Sequence, residues 1–123
     1  MNGGAGNDIL TGAASIDRFM FATNDEFDGD DLGVDEITDF VVGQDLILLD
    51  GTTFTAINNI ATEFATVTSN NAAATSEAVI VYNSNNGGLF YNTNGSEAGF
   101  GDGAQFATLS NQALLEVGDF IIR

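Results

Sequence analysis

Two aspartates nine residues apart each close a small-residue run and stand two places ahead of a large apolar residue. The first run is Gly3-Gly4-Ala5-Gly6-Asn7-Asp8-Ile9-Leu10, and the second is Gly12-Ala13-Ala14-Ser15-Ile16-Asp17-Arg18-Phe19. Glycines permit a tight turn whose carbonyl oxygens point inward, and an aspartate adds a hard carboxylate oxygen. Such an oxygen set suits Ca²⁺, which accepts about six to eight oxygens in flexible geometry, better than the stricter Mg²⁺. More acids follow in a dense run. Of the 18 carboxylates, ten lie from Asp25 to Asp50: Asp25, Glu26, Asp28, Asp30, Asp31, Asp35, Glu36, Asp39, Asp45 and Asp50. The first fifty residues therefore read as the cation-binding half.

The rest of the composition narrows the chemistry further. At 123 residues with a formal charge of -16, the chain has room for one modest core and repels polyanions, so nucleic acid is not an expected partner and neither is an anionic membrane surface. His and Cys are absent, and Arg18 and Arg123 are the only basic residues. That removes the commonest general base, the usual Zn²⁺ ligands, disulfides and Schiff-base chemistry. No nucleophile elbow appears, and the chain is not expected to be an enzyme. No apolar run approaches ~20 residues, so no membrane insertion is expected.

These residues need elements to hold them, and the patterning is mostly that of strands. Short apolar or β-branched runs bounded by Gly, Asp or Asn predict strands at 19–21, 37–42, 46–49, 78–82, 89–91, 105–109 and 119–122. Residues 83–88 join two of these as a hairpin, because Asn and Gly tolerate positive φ. Short helices are expected around 58–65 and 70–78, where Ala and Glu outweigh Thr and Asn.

Gly3 to Thr11 matches the nonapeptide Gly-Gly-x-Gly-x-Asp-x-U-x, with U a large apolar residue. On this motif, on the degenerate second repeat leading into DRFMFA, and on DEITDFVVGQDLILL, the chain resembles the RTX, or haemolysin-type calcium-binding, family. More precisely, it resembles the end of such proteins where a parallel β-roll gives way to a cap. LFYN, QFATL and DFIIR extend the likeness more weakly. The resemblance implies an all-β fold: the last turns of a parallel β-roll, capped by a small antiparallel sheet or sandwich, with at most short helices. It divides the single domain 1–123 into roll turns (1–22), an acidic loop and strands closing the roll (23–50), and an antiparallel β cap (51–123). It also implies Ca²⁺ as cofactor, type I secretion machinery as partner, and an extracellular location. Ala13 and Ser15 depart from the pattern, standing where it has glycine.

In the family's roll, successive nonapeptides alternate between two edges, so an ion lies between repeats eighteen residues apart. This places Asp8 with Glu26 and Asp17 with Asp35, and makes Gly4, Gly6, Asp8, Asp17, Glu26 and Asp35 the candidate metal residues. Asp25, Asp28, Asp30 and Asp31 form a second candidate set, against the plain reading of a solvated acidic loop. Asp39 and Asp45 read more simply as carboxylates that accept turn N–H groups. Asp119, Phe120, Ile121 and Ile122 are similar to the family's terminal secretion signal, although a last strand would look the same.

Two functions of different class follow. The first is a non-catalytic calcium-binding C-terminal module of a secreted protein, in which Ca²⁺ binding drives folding after export. The alternative is a carbohydrate or cell-surface binding module of an extracellular enzyme, using the Asn-, Thr- and Tyr-rich second half. The exposed end of a roll is an unpaired edge, which favours self-association.

Overall fold

In a computed structural model of the chain, residues 6–23 and 25–123 are described. The strands come first in pairs. β1 (Ile9–Leu10) and β2 (Arg18–Phe21) are followed by a one-turn helix, α1 (Gly29–Leu32), then β3 (Asp35–Ile37) and β4 (Leu46–Leu49). β1 pairs in parallel with β3, and β2 in parallel with β4, in two different sheets. The chain thus crosses from one sheet to the other at each turn and returns one layer further on. Odd positions of β2 carry Phe19 and Phe21 into the core at 0 % exposure, as period-two alternation requires.

After β4 the chain makes a long excursion. It forms α2 (Ile60–Glu63), β5 (Phe64–Val67), α3 (Asn70–Ala74), β6 (Ile80–Asn83) and β7 (Gly88–Tyr91). Asn59 caps α2 by accepting the Ala61 N–H, and Ser69 caps α3 by accepting that of Ala72. β5 and β6 are parallel, while β6–β7 and β7–β8 are antiparallel, with β8 spanning Gln105–Leu109. The expected hairpin at 83–88 is present. Gly87 sits there at φ +80, with Leu109 O 2.1 Å from where a Cβ would stand, so only glycine fits.

The last two strands rejoin the winding. β8 pairs in parallel with β3, and β9 (Phe120–Ile122) in parallel with β4. The antiparallel strands therefore belong to the same six-stranded sheet as β1 and β3, in the order β1-β3-β8-β7-β6-β5, and β2-β4-β9 form the second sheet. The fold is mostly β, with short helices and both parallel and antiparallel pairing, as expected in outline. Three particulars differ. The strand expected at 37–42 stops at Ile37, because the chain turns there and leaves Val41 and Val42 exposed while Phe40 enters the core. Residues 64–67, expected to be helical at their start, form β5 because pairing with β6 outweighs local propensity. Helix α1 was not expected.

Aromatic side chains fill the space between the sheets. Phe21 meets Phe106 edge-on at 5.1 Å, and Phe54 packs against both Phe106 and Tyr91 at 5.0 Å. Tyr82 is fully buried and its hydroxyl donates to Ala113 O at 2.6 Å. A smaller cluster of Ala73, Val81 and Phe90 lies apart from this core, and Phe100 stacks on Phe90 at 5.0 Å. All four residues of β6 and all four of β7 are consequently buried.

Candidate metal centre

The two sheets are joined at their edges by turns, and an aspartate closes five of them. Along one edge, the turn at Gly6–Asp8 lies beside the turn at Gly33–Asp35 of the next layer. Asp8 N–H donates to Asp35 Oδ1 at 2.9 Å, Glu36 N–H to Asp8 O at 2.7 Å, and Val34 N–H to Asn7 Oδ1 at 2.8 Å. Gly33 is at φ +72, and a Cβ there would stand 2.5 Å from both Asn7 Oδ1 and Gly6 O. The layers touch so closely that the Gly6 carbonyl and the Asn7 side chain fill the position of the missing methyl.

Along the opposite edge a similar ladder runs through three layers. Asp45 Oδ1 accepts Asp17 N–H at 3.0 Å, and its Oδ2 accepts Val41 N–H at 2.9 Å. Asp119 repeats the arrangement, taking Gly43 N–H at 3.3 Å on Oδ1 and Glu116 N–H at 2.8 Å on Oδ2. In each case the carboxylate ties its own turn to the preceding layer. Asp39 adds a clamp within this edge, its two oxygens accepting Gly12 N–H at 2.9 Å and Ala13 N–H at 2.6 Å. Asp39 and Asp45 are thus acceptors of turn N–H groups, as the plain reading has it. Ala13 and Ser15 occupy the left-handed region at φ 69 and φ 78 in spite of their side chains. The second turn keeps a glycine-like path without the glycines, at a cost of about 1 kcal/mol or more for each residue.

Asp8 and Asp17 break the pattern in one respect. Each has a buried Oδ2 with no hydrogen-bond partner among the described residues. That of Asp17 lies over Gly12, where a Cβ would approach it to 2.4 Å. Buried carboxylate oxygens without partners are costly, and they are satisfied by a donor, a proton or a cation.

The layer-to-layer spacing corrects the expected partners. Asp8 meets Asp35, 27 residues on, and Asp17 meets Asp45, 28 residues on. The eighteen-residue step placing Asp8 with Glu26 and Asp17 with Asp35 does not occur, because the connection from β2 to β3 is lengthened by the acidic loop and α1. Asp8 and Asp35 are brought together; Asp17 stands on the other edge with Asp45, a partner that the assumed period concealed. Glu26 lies apart from both, lining a cleft of about 510 Å³ with Asp25, Phe27, Asp28, Gly29 and Asp102. Gly4 lies outside the described residues, as do the side chains of Asp30 and Asp31 on α1. Among the described residues, no group of three or more Asp, Glu, His or Cys side chains gathers as a ready metal cluster. Asp119 and Phe120 are buried and Ile121 is exposed, at the entry to β9.

Charge in this centre is tightly confined. Asp35 is 1 % exposed, and desolvation raises its pKa from 3.8 to about 6; the nearby Asp8 charge raises it too, while the Asp8 N–H opposes the rise. Asp50, at the far end of β4, is held below its ordinary value chiefly by the Thr52 hydroxyl. No protein-family model, characterised protein or solved structure matches the chain.

Proposed function

We propose that this chain is a non-catalytic calcium-binding module of β-roll type from a secreted RTX-like protein, in which Ca²⁺ binding is coupled to folding after type I secretion. The observation that carries this reading is the pair of buried, unpartnered oxygens, Asp8 Oδ2 and Asp17 Oδ2. They stand at matching places in two successive nine-residue units, each at the end of a turn whose backbone follows a left-handed or glycine path. A hard divalent cation satisfies such oxygens without requiring His or Cys, which the chain lacks. Parallel strands alternating between two sheets support the β-roll reading.

The residues at hand fit such an ion with a particular balance of ligands. At the first edge, Asp8 Oδ2 and the Gly6 carbonyl would hold it, beside Asp35; at the second, Asp17 Oδ2. Carboxylates are few at each place, so backbone carbonyls and water would complete the shell, which suits Ca²⁺ with its tolerant geometry. Bound cation would offset the repulsion of a chain charged at -16. By mass action it stabilises the folded state by about 2.7 kcal/mol when free Ca²⁺ is about 100 times Kd. Low free Ca²⁺ inside the cell would leave the chain less stable and exportable, and millimolar Ca²⁺ outside would drive it to fold.

Isothermal titration with Ca²⁺ and with Mg²⁺ tests the assignment. Ca²⁺ is expected to bind in preference to Mg²⁺, and Asp8→Ala and Asp17→Ala are each expected to lower the stoichiometry. Unchanged stoichiometry in both variants would contradict it.

A further inference from the structure

The sequence holds three Asn-Gly steps, at 2–3, 86–87 and 94–95. The first lies outside the described residues; the other two both place glycine at positive φ, +80 at Gly87 and +61 at Gly95, and differ in their hydrogen bonding. Asn86-Gly87 is built into the β6–β7 hairpin. Gly87 N–H donates to Asn83 O at 2.8 Å, Asn86 Oδ1 accepts Gly88 N–H at 2.9 Å, and Asn86 Nδ2 donates to Asn70 Oδ1 at 3.2 Å. Gly87 is itself buried against Leu109. Asn94-Gly95 lies in the loop that follows β7. There, Gly95 N–H has no acceptor and Asn94 Oδ1 no donor among the described residues, and nothing stands within 4 Å of a Cβ built on Gly95. Asn94 Nδ2 makes long bonds, to Ala98 O at 3.1 Å and Glu97 O at 3.4 Å.

We propose that Asn94 is a self-modification site, deamidating through attack by the Gly95 backbone nitrogen, and that the fold protects Asn86 from the same reaction. Gly95 N gives up its proton to solvent base and bonds to Asn94 Cγ, and Nδ2 departs as ammonia, closing a five-membered succinimide. Water then adds at either ring carbonyl and cleaves that C–N bond, leaving aspartate or isoaspartate. No oxidant and no cofactor enters. At Asn86 the same ring requires Gly87 N–H to leave Asn83 O and Asn86 Oδ1 to leave Gly88 N–H, which opens the hairpin. At Asn94 neither the attacking Gly95 N–H nor Asn94 Oδ1 has to leave a partner among the described residues; the bonds lost are those of the departing Nδ2, while Asn94 N–H on Asn92 Oδ1 at 2.9 Å and Asn92 Nδ2 on Gly95 O at 3.3 Å hold the flanking backbone. Each event adds a negative charge to a loop that already carries Glu97 and Asp102, and removes the Nδ2 bonds to Glu97 O and Ala98 O. The isoaspartate product also lengthens the loop backbone by one methylene.

The test incubates the full chain at mildly alkaline pH and maps isoaspartate by peptide mass spectrometry after labelling with an isoaspartyl methyltransferase. Label at position 94 is expected to accumulate at least about tenfold faster than at 86, the factor corresponding to the two hairpin hydrogen bonds that must open. Asn94→Gln, whose six-membered ring closes far more slowly, is expected to abolish the signal at 94. In denaturing urea the two sites are expected to react at similar rates. Equal or faster labelling at 86 in the folded chain, no label at 94, or a preference for 94 that persists unchanged in urea would each overturn the proposal.

Discussion

Replacing Asp35 with Asn removes a charge from a buried contact between the first two layers while keeping an acceptor for Asp8 N–H. Asp35 is 1 % exposed, and burial raises its pKa from 3.8 to about 6. A raised carboxyl pKa means that the folded chain holds the proton more firmly than the unfolded chain. The contribution to stability is therefore fully present below the unfolded value of 3.8 and is lost as pH rises through about 6. At about 1.36 kcal/mol per pH unit across that interval, the ionised form costs about 3 kcal/mol as an upper value. In metal-free buffer Asp35→Asn is then expected to stabilise the chain by up to about 3 kcal/mol near pH 8, about 10 °C in Tm, and to leave it unchanged near pH 4. Thermal unfolding followed by circular dichroism in EDTA, over that pH range, reads the difference directly. A destabilised variant near pH 8, or a difference independent of pH, would show that the buried Asp35 charge carries no such cost.

Other substitutions probe the turns that bring the layers together. Gly33→Ala places a Cβ within 2.5 Å of Asn7 Oδ1 and Gly6 O at φ +72, and is expected to cost at least about 2 kcal/mol in urea unfolding. Asp39→Ala leaves Gly12 and Ala13 N–H without their carboxylate, and a loss of about 1–2 kcal/mol is expected in the same assay. Tyr82→Phe leaves the half-buried Ala113 O without its donor; calorimetry is expected to show a loss of about 1 kcal/mol, with the fold unchanged.

Much of the local structure could be read from residue types, because turn chemistry and alternation act over a few residues. The nine-residue step from Asp8 to Asp17 and the strand at 46–49 are of this kind, as is the hairpin at 83–88. The layer spacing was not legible. Glu26 stands at the right count from Asp8, but a count carries no information about a loop and a helical turn inserted between strands, so Asp35 took the place assigned to Glu26. The return of β8 and β9 to the winding was hidden for a related reason: each is an ordinary short apolar strand, and its partner lies about seventy residues away in β3 or β4. β5 was missed because Ala and Thr around it read as weak helix, and only its pairing with β6 decides its state. Asn7 and Gly33 belong to the first edge of the candidate metal centre through contacts between layers, and neighbours along the chain do not reveal them.

Calcium-dependent thermal unfolding reads the coupling of Ca²⁺ binding at Asp8 and Asp17 to folding most directly. The parent chain is measured in EDTA and then in millimolar Ca²⁺, beside a chain carrying both Asp8→Asn and Asp17→Asn. The Tm of the parent chain is expected to rise by about 10 °C with Ca²⁺, from the roughly 2.7 kcal/mol expected at about 100 times Kd, and that of the double variant to rise much less. A parent chain whose Tm does not respond to Ca²⁺, or a double variant that responds as fully as the parent, would contradict that coupling.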